Sequence, residues 1–370
     1  MDGDLKYTLS IVTLNLNRIV PILQIILGTF GNVINILIFS RRSLRKNPCS
    51  IYFLALSINN IFALYVALLT RLLSSGWQID PSNTNNILCK LRIFFSYVSL
   101  CLTQWFIVLA SIDRFLSSCR TVRYRQFSNK SITRKGTIFI IIFIASIHFH
   151  VLIWFQSAPI GRTLTCNIFD KNYQLFFTIF TLVFTSLLPP FFMIIFGLQT
   201  IFNVRKLRRQ VAPQTNNTRT DRLRSKDRQM IRMLLFQVLL TIICTTPFTT
   251  INLYSAIGTN IILSSTGTII YNFCANVFRL LNYCIPVIGF YIYTLASRTF
   301  RSEIKHILRE FIKRIGLVQC LPENVQTLVN EQSGSLASGG NTFSRRKTGN
   351  HRSTNQTSKY LYHPFFEKSA

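Results

Sequence analysis

Hydrophobic residues along this chain gather in long runs, and polar residues gather between them. Stretches of about 20 mostly apolar positions recur, each long enough to cross a bilayer core about 30 Å thick as a helix rising 1.5 Å per residue. Seven stretches meet that requirement: about 19–40, 50–73, 89–117, 136–158, 173–202, 230–257 and 267–296. Their connections are short except for 203–229, which is polar and strongly basic. After them, "SRTFRSEIKHILREFIKRIG" (297–316) sets Phe300, Ile304, Ile307, Leu308, Phe311 and Ile312 on one helical face and Arg and Lys on the other. That pattern fits a helix lying on a membrane surface. The expected fold class is all-α integral membrane: a seven-transmembrane helix bundle (19–296) followed by a short amphipathic eighth helix (297–316). Residues 1–18 are expected to form an extracellular N-terminus, and 317–370, rich in Ser, Asn, Gly and Lys/Arg, a disordered cytoplasmic tail.

Composition sharpens this reading. Hydrophobic residues make up 49% of the chain and charged residues 14%, whereas a soluble domain uses about a quarter. The formal net charge of +29 suggests a nucleic-acid partner until its distribution is seen, because the basic residues sit in blocks separating the apolar runs. A membrane is the better solvent, and no nucleic-acid partner is expected. Under a seven-span arrangement, 41–48, 114–135, 203–232 and the tail from Arg298 hold 33 of the 41 Lys and Arg, against seven on the opposite side. Basic connections stay cytoplasmic, so the N-terminus is expected outside, the C-terminus inside and the chain in the plasma membrane. The start "MDGDLKYTLS" lacks a basic-then-apolar pattern, so no cleavable signal peptide is expected.

The chemistry-bearing residues exclude several classes. Nine cysteines without a CxxC pairing suggest neither a zinc site nor a disulfide-dense scaffold. No HExxH, GxSxG or carboxylate–histidine constellation appears, so no catalytic residue, cofactor or metal is expected and the chain does not read as an enzyme. None of the twelve acids is expected to be buried within a span, and internal repeats are not evident, which disfavours an ion-coupled carrier or channel.

Spacing narrows the remaining possibilities. In "LASIDRFLSSCR" (109–120), Asp113-Arg114-Phe115 closes the third span, 25 residues after Cys89 at its start. Cys166 falls between spans four and five, Gly31-Asn32 in the first span, Pro189-Pro190 in the fifth and Pro247 in the sixth. Together these resemble the rhodopsin-like G-protein-coupled receptors. "IYFLALSINN", "LLPPFFMIIFGLQTI" and "YIYTLASRTFRSEI" look most like the invertebrate FMRFamide-type neuropeptide receptors.

The resemblance implies that Arg114 is held by Asp113 at rest and released toward a heterotrimeric G protein when the sixth helix swings outward. It offers Asp227 as a second partner, with Phe115 and Tyr293 at the same switch. Read from sequence, the pair lies at the water boundary, where such contacts contribute about 0–1 kcal/mol. The bland alternative is that it merely marks a helix end. The resemblance also implies a Cys89–Cys166 disulfide, leaving Cys49, Cys101, Cys119, Cys244, Cys274 and Cys284 as small packing residues, and Cys320 open to palmitoylation.

Several positions depart from the family pattern. Asn60 (or Asn59) stands where a buried aspartate is usual, so no effect of sodium is expected. Pro286 precedes Gly289-Phe290-Tyr291-Ile292-Tyr293 in place of an Asn-Pro-x-x-Tyr ending, and Thr245 replaces the tryptophan near Pro247. Asn32, Asn60, Pro190, Pro247 and Pro286 are the polar and hinge candidates of the bundle. These changes keep open a decoy that binds without signalling.

For the ligand, Ser96 occupies the position where amine receptors carry an aspartate, and Tyr283 that of the opsin lysine. Neither function is expected. Arg279 is the positive signal, because a charge at membrane depth costs about 2.5–3.5 kcal/mol and usually faces a polar cavity. Asn272, Asn276 and Arg279 share one helical stripe, and Arg71, at the outer end of the second span, is expected to join them. With Ser96 they form the candidate site for an anionic or amide-rich end of an extracellular peptide. The alternative is that Arg279 only bonds backbone carbonyls or reaches water. His148 and His150 read as interior histidines. Membrane lipids are the remaining expected partner.

Overall fold

The computed structural model describes residues 2–45, 47–160, 163–210, 218–257, 265–296 and 298–314. The tail from 317, with Cys320, lies outside them. Among the described residues, six helices are long and apolar enough to span a membrane: Asp4–Phe39, Cys49–Gly76, Asn86–Ser118, Lys130–Trp154, Lys171–Lys206 and Leu235–Ser255. The seventh span is a broken pair, Thr266–Asn282 and Ile285–Leu295, bent by 46°. The seven pack as one bundle, with the third span touching most of the others. Many large apolar side chains face outward, among them Ile138, Phe139 and Ile142 on the fourth span, each more than half exposed. Such a surface is stable only against lipid.

The boundaries differ from the expected ones where hydrophobicity is a poor guide. The first helix begins at Asp2, not near 19, because nothing in 4–20 breaks a helix and Pro21 is accommodated inside it. The fifth and sixth helices extend into the basic connection, to Gln210 and from Thr218. The surface helix runs Arg298–Arg314. The fourth span is interrupted after Ile147, resumes as the short helix Val151–Trp154, and then gives way to an antiparallel hairpin, Phe155–Ile160 with Thr163–Ile168. This sheet is absent from an all-α expectation, because apolar composition does not separate a helix from a strand.

Breaks in the helices are repaired by neighbouring side chains. Pro286 cannot donate and crowds the carbonyl four residues earlier, so the seventh span opens at Tyr283–Cys284. Gln24 donates to the Leu280 carbonyl at 2.9 Å, and Asn32 to the Pro286 carbonyl at 2.8 Å. Gly31 lets these spans close up, since a Cβ there would sit 2.8 Å from Phe290 Cβ. In the fifth span the turns Leu182–Leu187 are π-helical, and the Leu188 N–H reaches Val183. Pro189 has no N–H to offer the Phe184 carbonyl, which accepts instead from Trp105 Nε1 at 3.1 Å. Two further π segments, Leu64–Leu69 and Leu72–Gly76, widen the second span.

Candidate functional site

Two regions at opposite ends of the bundle bring the singled-out residues together. At the end carrying Arg114, the third helix continues past the last apolar turn, so Asp113 and Arg114 remain helical and side by side. Arg114 donates to Asp113 at 2.9 Å and to Asn47 Oδ1 at 2.5 Å. Asp113 accepts a second bond from the Ser128 hydroxyl at 2.8 Å. Both side chains are nearly buried, 4% exposed for Asp113 and 6% for Arg114. This corrects two expectations: the pair does not lie at the water boundary, and one acid is buried within a spanning helix. The chain segments bearing Asn47 and Ser128 fold over it. Removing one member of a buried pair typically costs about 3–5 kcal/mol. The Phe115 ring packs near Phe196, centroids 5.6 Å apart. Asp227 falls within the sixth-span helix, but its side chain lies outside the described residues.

Tyr293 meets the sixth span by another route. It is buried among Phe39, Phe53 and Phe300, and its hydroxyl donates to Gln237 Oε1 at 2.8 Å. One turn further on, Thr241 donates to Gln104 Oε1 on the third span at 3.1 Å. The inner part of the sixth helix is thus tied to spans seven and three by uncharged bonds. Sequence reasoning missed Gln104, Gln237 and Gln24. Each is a lone amide inside an otherwise apolar run, and such groups in lipid seek partners on other helices.

Between these ends lies a neutral network. Asn60 donates to Asn32 Oδ1 at 3.2 Å and accepts from Thr103 at 2.9 Å, while Asn59 donates to the Ser99 carbonyl at 2.8 Å. Both candidate asparagines of "SINN" take part. Pro190 and Pro247 lie inside their helices, and helix continues through each.

At the other end, Cys89 and Cys166 form a disulfide with Cα atoms 5.6 Å apart, tying the hairpin to the third span. Asn83 accepts from the Cys166 N–H at 3.1 Å and, through its carbonyl, from the Ser157 hydroxyl. Beneath the hairpin is a cavity of about 290 Å³ whose lining includes Tyr97, Gln174, Asn252, Asn272 and Arg279. Arg279 stands 5.8 Å from the centre of the Phe248 ring. Asn276 turns toward the second span instead, where it accepts from Arg71 at 2.7 Å. Ser96 does not join the site: its hydroxyl bonds back to the Arg92 carbonyl at 2.6 Å, a habit of serine inside helices. A larger groove of about 830 Å³ between spans six and seven is lined by Ile242, Ile243, Pro247, Ile251 and other mostly apolar residues, with no charged group.

His148 is buried and bonds the Ile144 carbonyl at 2.8 Å; His150 bonds the Tyr173 hydroxyl at 2.6 Å among Phe176, Phe177 and Phe180. His148 is interior, as its sequence setting suggested; His150 is half-buried, and its Nε2 has no partner among the described residues.

Comparison with known proteins matches this sequence to a family. The pattern described as "7 transmembrane receptor (rhodopsin family)" fits residues 31–293. The chain is 26% identical to melatonin receptor type 1A of Phodopus sungorus over 299 residues, 78% of each chain. It is 21% identical to C-C chemokine receptor type 8 of Macaca mulatta over 300 residues, 79% of each. Over 107 residues, 28% of this chain and 26% of the other, it is 28% identical to the neuromedin U receptor homolog nmur-2 of Caenorhabditis elegans.

Proposed function

Because the chain belongs to the rhodopsin family of seven-transmembrane receptors, we propose that it carries an extracellular peptide signal to a heterotrimeric G protein. The observation that carries this reading is the buried Asp113–Arg114 pair capped by Asn47 and Ser128. A guanidinium held this way at the end of the central helix is a two-position element: bound inward at rest, or released to a partner. Ligands commonly supply about 1–3 kcal/mol of coupling between sites. The uncharged ties from the sixth helix through Gln237 and Thr241 are each of about that size or smaller, so outward movement of that helix is within reach of a ligand.

In this reading the basic end is cytoplasmic, as charge placement argues, and the C-terminus lies there too. The hairpin end faces outward in a plasma membrane, and the basic surface helix meets acidic lipid heads. The ligand is a neuropeptide-like chain whose anionic or amide-rich end enters the cavity beside Arg279. The peptide class rests on the FMRFamide-type phrases in the sequence and on the partial likeness to the neuromedin U receptor homolog. Asp227 is retained as a second acid for Arg114.

The test is agonist-dependent nucleotide exchange on a purified heterotrimeric G protein, with the agonist drawn from a neuropeptide screen on cells expressing the receptor. Arg114→Ala should abolish exchange and spare ligand binding. Unchanged exchange in that variant removes Arg114 from the switch.

A further inference from the structure

The end of the bundle that carries the hairpin holds an unbalanced set of hydrogen-bond donors. Arg71 uses one terminal nitrogen on Asn276 Oδ1. Its Nε–H is buried with no acceptor among the described residues, and so is the Nδ2 amide of Asn276 itself. Arg279 lies three residues beyond Asn276 on the same helix, one turn along, and Arg71 is close enough to feel the cations Arg279 and Arg92, as well as Tyr283. Two acids at this end of the bundle already have partners. Asp80 is ion-paired with Arg92 at 2.6 Å, and Asp170 accepts from the Tyr173 N–H at 2.7 Å to cap the fifth span. Arg279 thus lines the cavity beneath the hairpin, with the Arg71–Asn276 pair one turn away toward the second span, and these groups have donors to spare and no acid bonded to them among the described residues.

Such a set is costly in a low-dielectric interior, where like charges repel strongly and unpaired donors lose their hydration. It fits a ligand that only accepts. A carboxylate does so through two oxygens and compensates the charge, and arginine binds it with charge-assisted geometry. A carboxamide brings one acceptor and two further donors, and leaves both charges uncompensated.

We infer that Arg279, lining the cavity beneath the hairpin, and the Arg71–Asn276 pair beside it form a carboxylate-binding site, so that the ligand's anchoring group is an acid, not an amide. The inference rests on the peptide-receptor reading above and narrows it. The carboxylate has two sources, a free C-terminus or an acidic side chain, and the site's chemistry is the same for both.

The test needs no G protein, so it stands or falls apart from signalling. Purified receptor in nanodiscs is titrated with N-acetyl-phenylalanine (terminal carboxylate), N-acetyl-phenylalaninamide (none) and N-acetyl-aspartic acid α-amide (side-chain carboxylate). Melting temperature is followed at fixed ionic strength. At least one acid should bind roughly ten-fold or more tightly than the phenylalaninamide, and the better acid identifies the source. Arg279→Gln and Arg71→Gln should each remove that preference, and Arg279→Lys should restore part of it. Equal affinity for acids and amide in the unaltered receptor overturns the inference whether or not the variants fold. An acid preference surviving in both glutamine variants overturns it as well. Loss of agonist-driven exchange with the acid preference intact counts against the signalling reading alone.

Discussion

Replacing Asp113 with asparagine keeps the side chain's shape, removes its charge and turns one acceptor into a donor, for which the Ser128 hydroxyl can reverse and accept, so the change falls mainly on the contact with Arg114. Asp113 accepts from Arg114 at 2.9 Å and from Ser128 at 2.8 Å, and both members of the ion pair are nearly buried. A bond to a charged group nets about 1.5–3 kcal/mol, and one between neutral groups about 0.5–1.5. Against arginine, asparagine keeps the weaker of the charge-assisted contacts but loses the opposing charge, a loss of roughly 1–2 kcal/mol. If the pair is what withholds Arg114 from the G protein, that loss acts directly on the balance between resting and active forms. Basal nucleotide exchange should then rise roughly 5- to 30-fold. The assay is exchange on a purified G protein without agonist, using equal amounts of folded receptor in nanodiscs. Basal exchange that stays level while the melting temperature falls refutes the reasoning, because the pair would then only fasten the helix end.

Tyr293→Phe removes the hydroxyl that reaches Gln237 and should raise basal exchange about 2- to 10-fold; adding Gln237→Leu should bring little more, and full additivity in this cycle would count against a shared contact. Exchanging sodium for choline at constant ionic strength should leave ligand affinity unchanged in the unaltered receptor, whose amide network offers no carboxylate, whereas Asn60→Asp should make affinity sodium-dependent. Trp105→Phe leaves the Phe184 carbonyl without its indole donor and should cost about 1–3 kcal/mol, read as a lower melting temperature; no change would mean that the widened turn finds another donor. Cys166→Ser should destabilise the receptor by about 2–4 kcal/mol, with loss of ligand binding in the same preparation.

The spans and the disulfide were legible because each depends on a strong local signal. Twenty apolar residues leave few options for a backbone in lipid, and Cys89 and Cys166 occupy places that a resemblance can match. The Asp113–Arg114 pair was legible as a position but not as an environment. Its burial depends on Asn47 and Ser128, which come from other connections and carry no pattern of their own. Asn272 and Asn276 were grouped with Arg279 from helical spacing, and Arg71 from its place at the outer end of the second span, yet periodicity alone did not reveal that Asn276 turns to the second span while Arg279 lines the cavity. The hairpin was misread because "FQSAPI" is apolar enough to extend the fourth span, and its strand pairing lies in residues further along. The N-terminal helix was misjudged for the opposite reason: mixed polarity hides a run that has no breaker until Pro21.

The π-helical turns of the second and fifth spans give those rods slack that a regular helix lacks. An extra residue in a turn can pass along the axis as one hydrogen bond is exchanged for the next, and every side chain it passes rotates by roughly 100° without the rod unwinding. Leu182–Leu187 lies between the lining residues Gln174, Phe177, Thr178 and Thr181 and the inner stretch of the fifth helix that carries Phe192 and Phe196. A twist introduced on the hairpin side of that turn therefore need not be absorbed there. It has a ready-made carrier toward the opposite membrane face, with the indole of Trp105 as the catch over which it must slip.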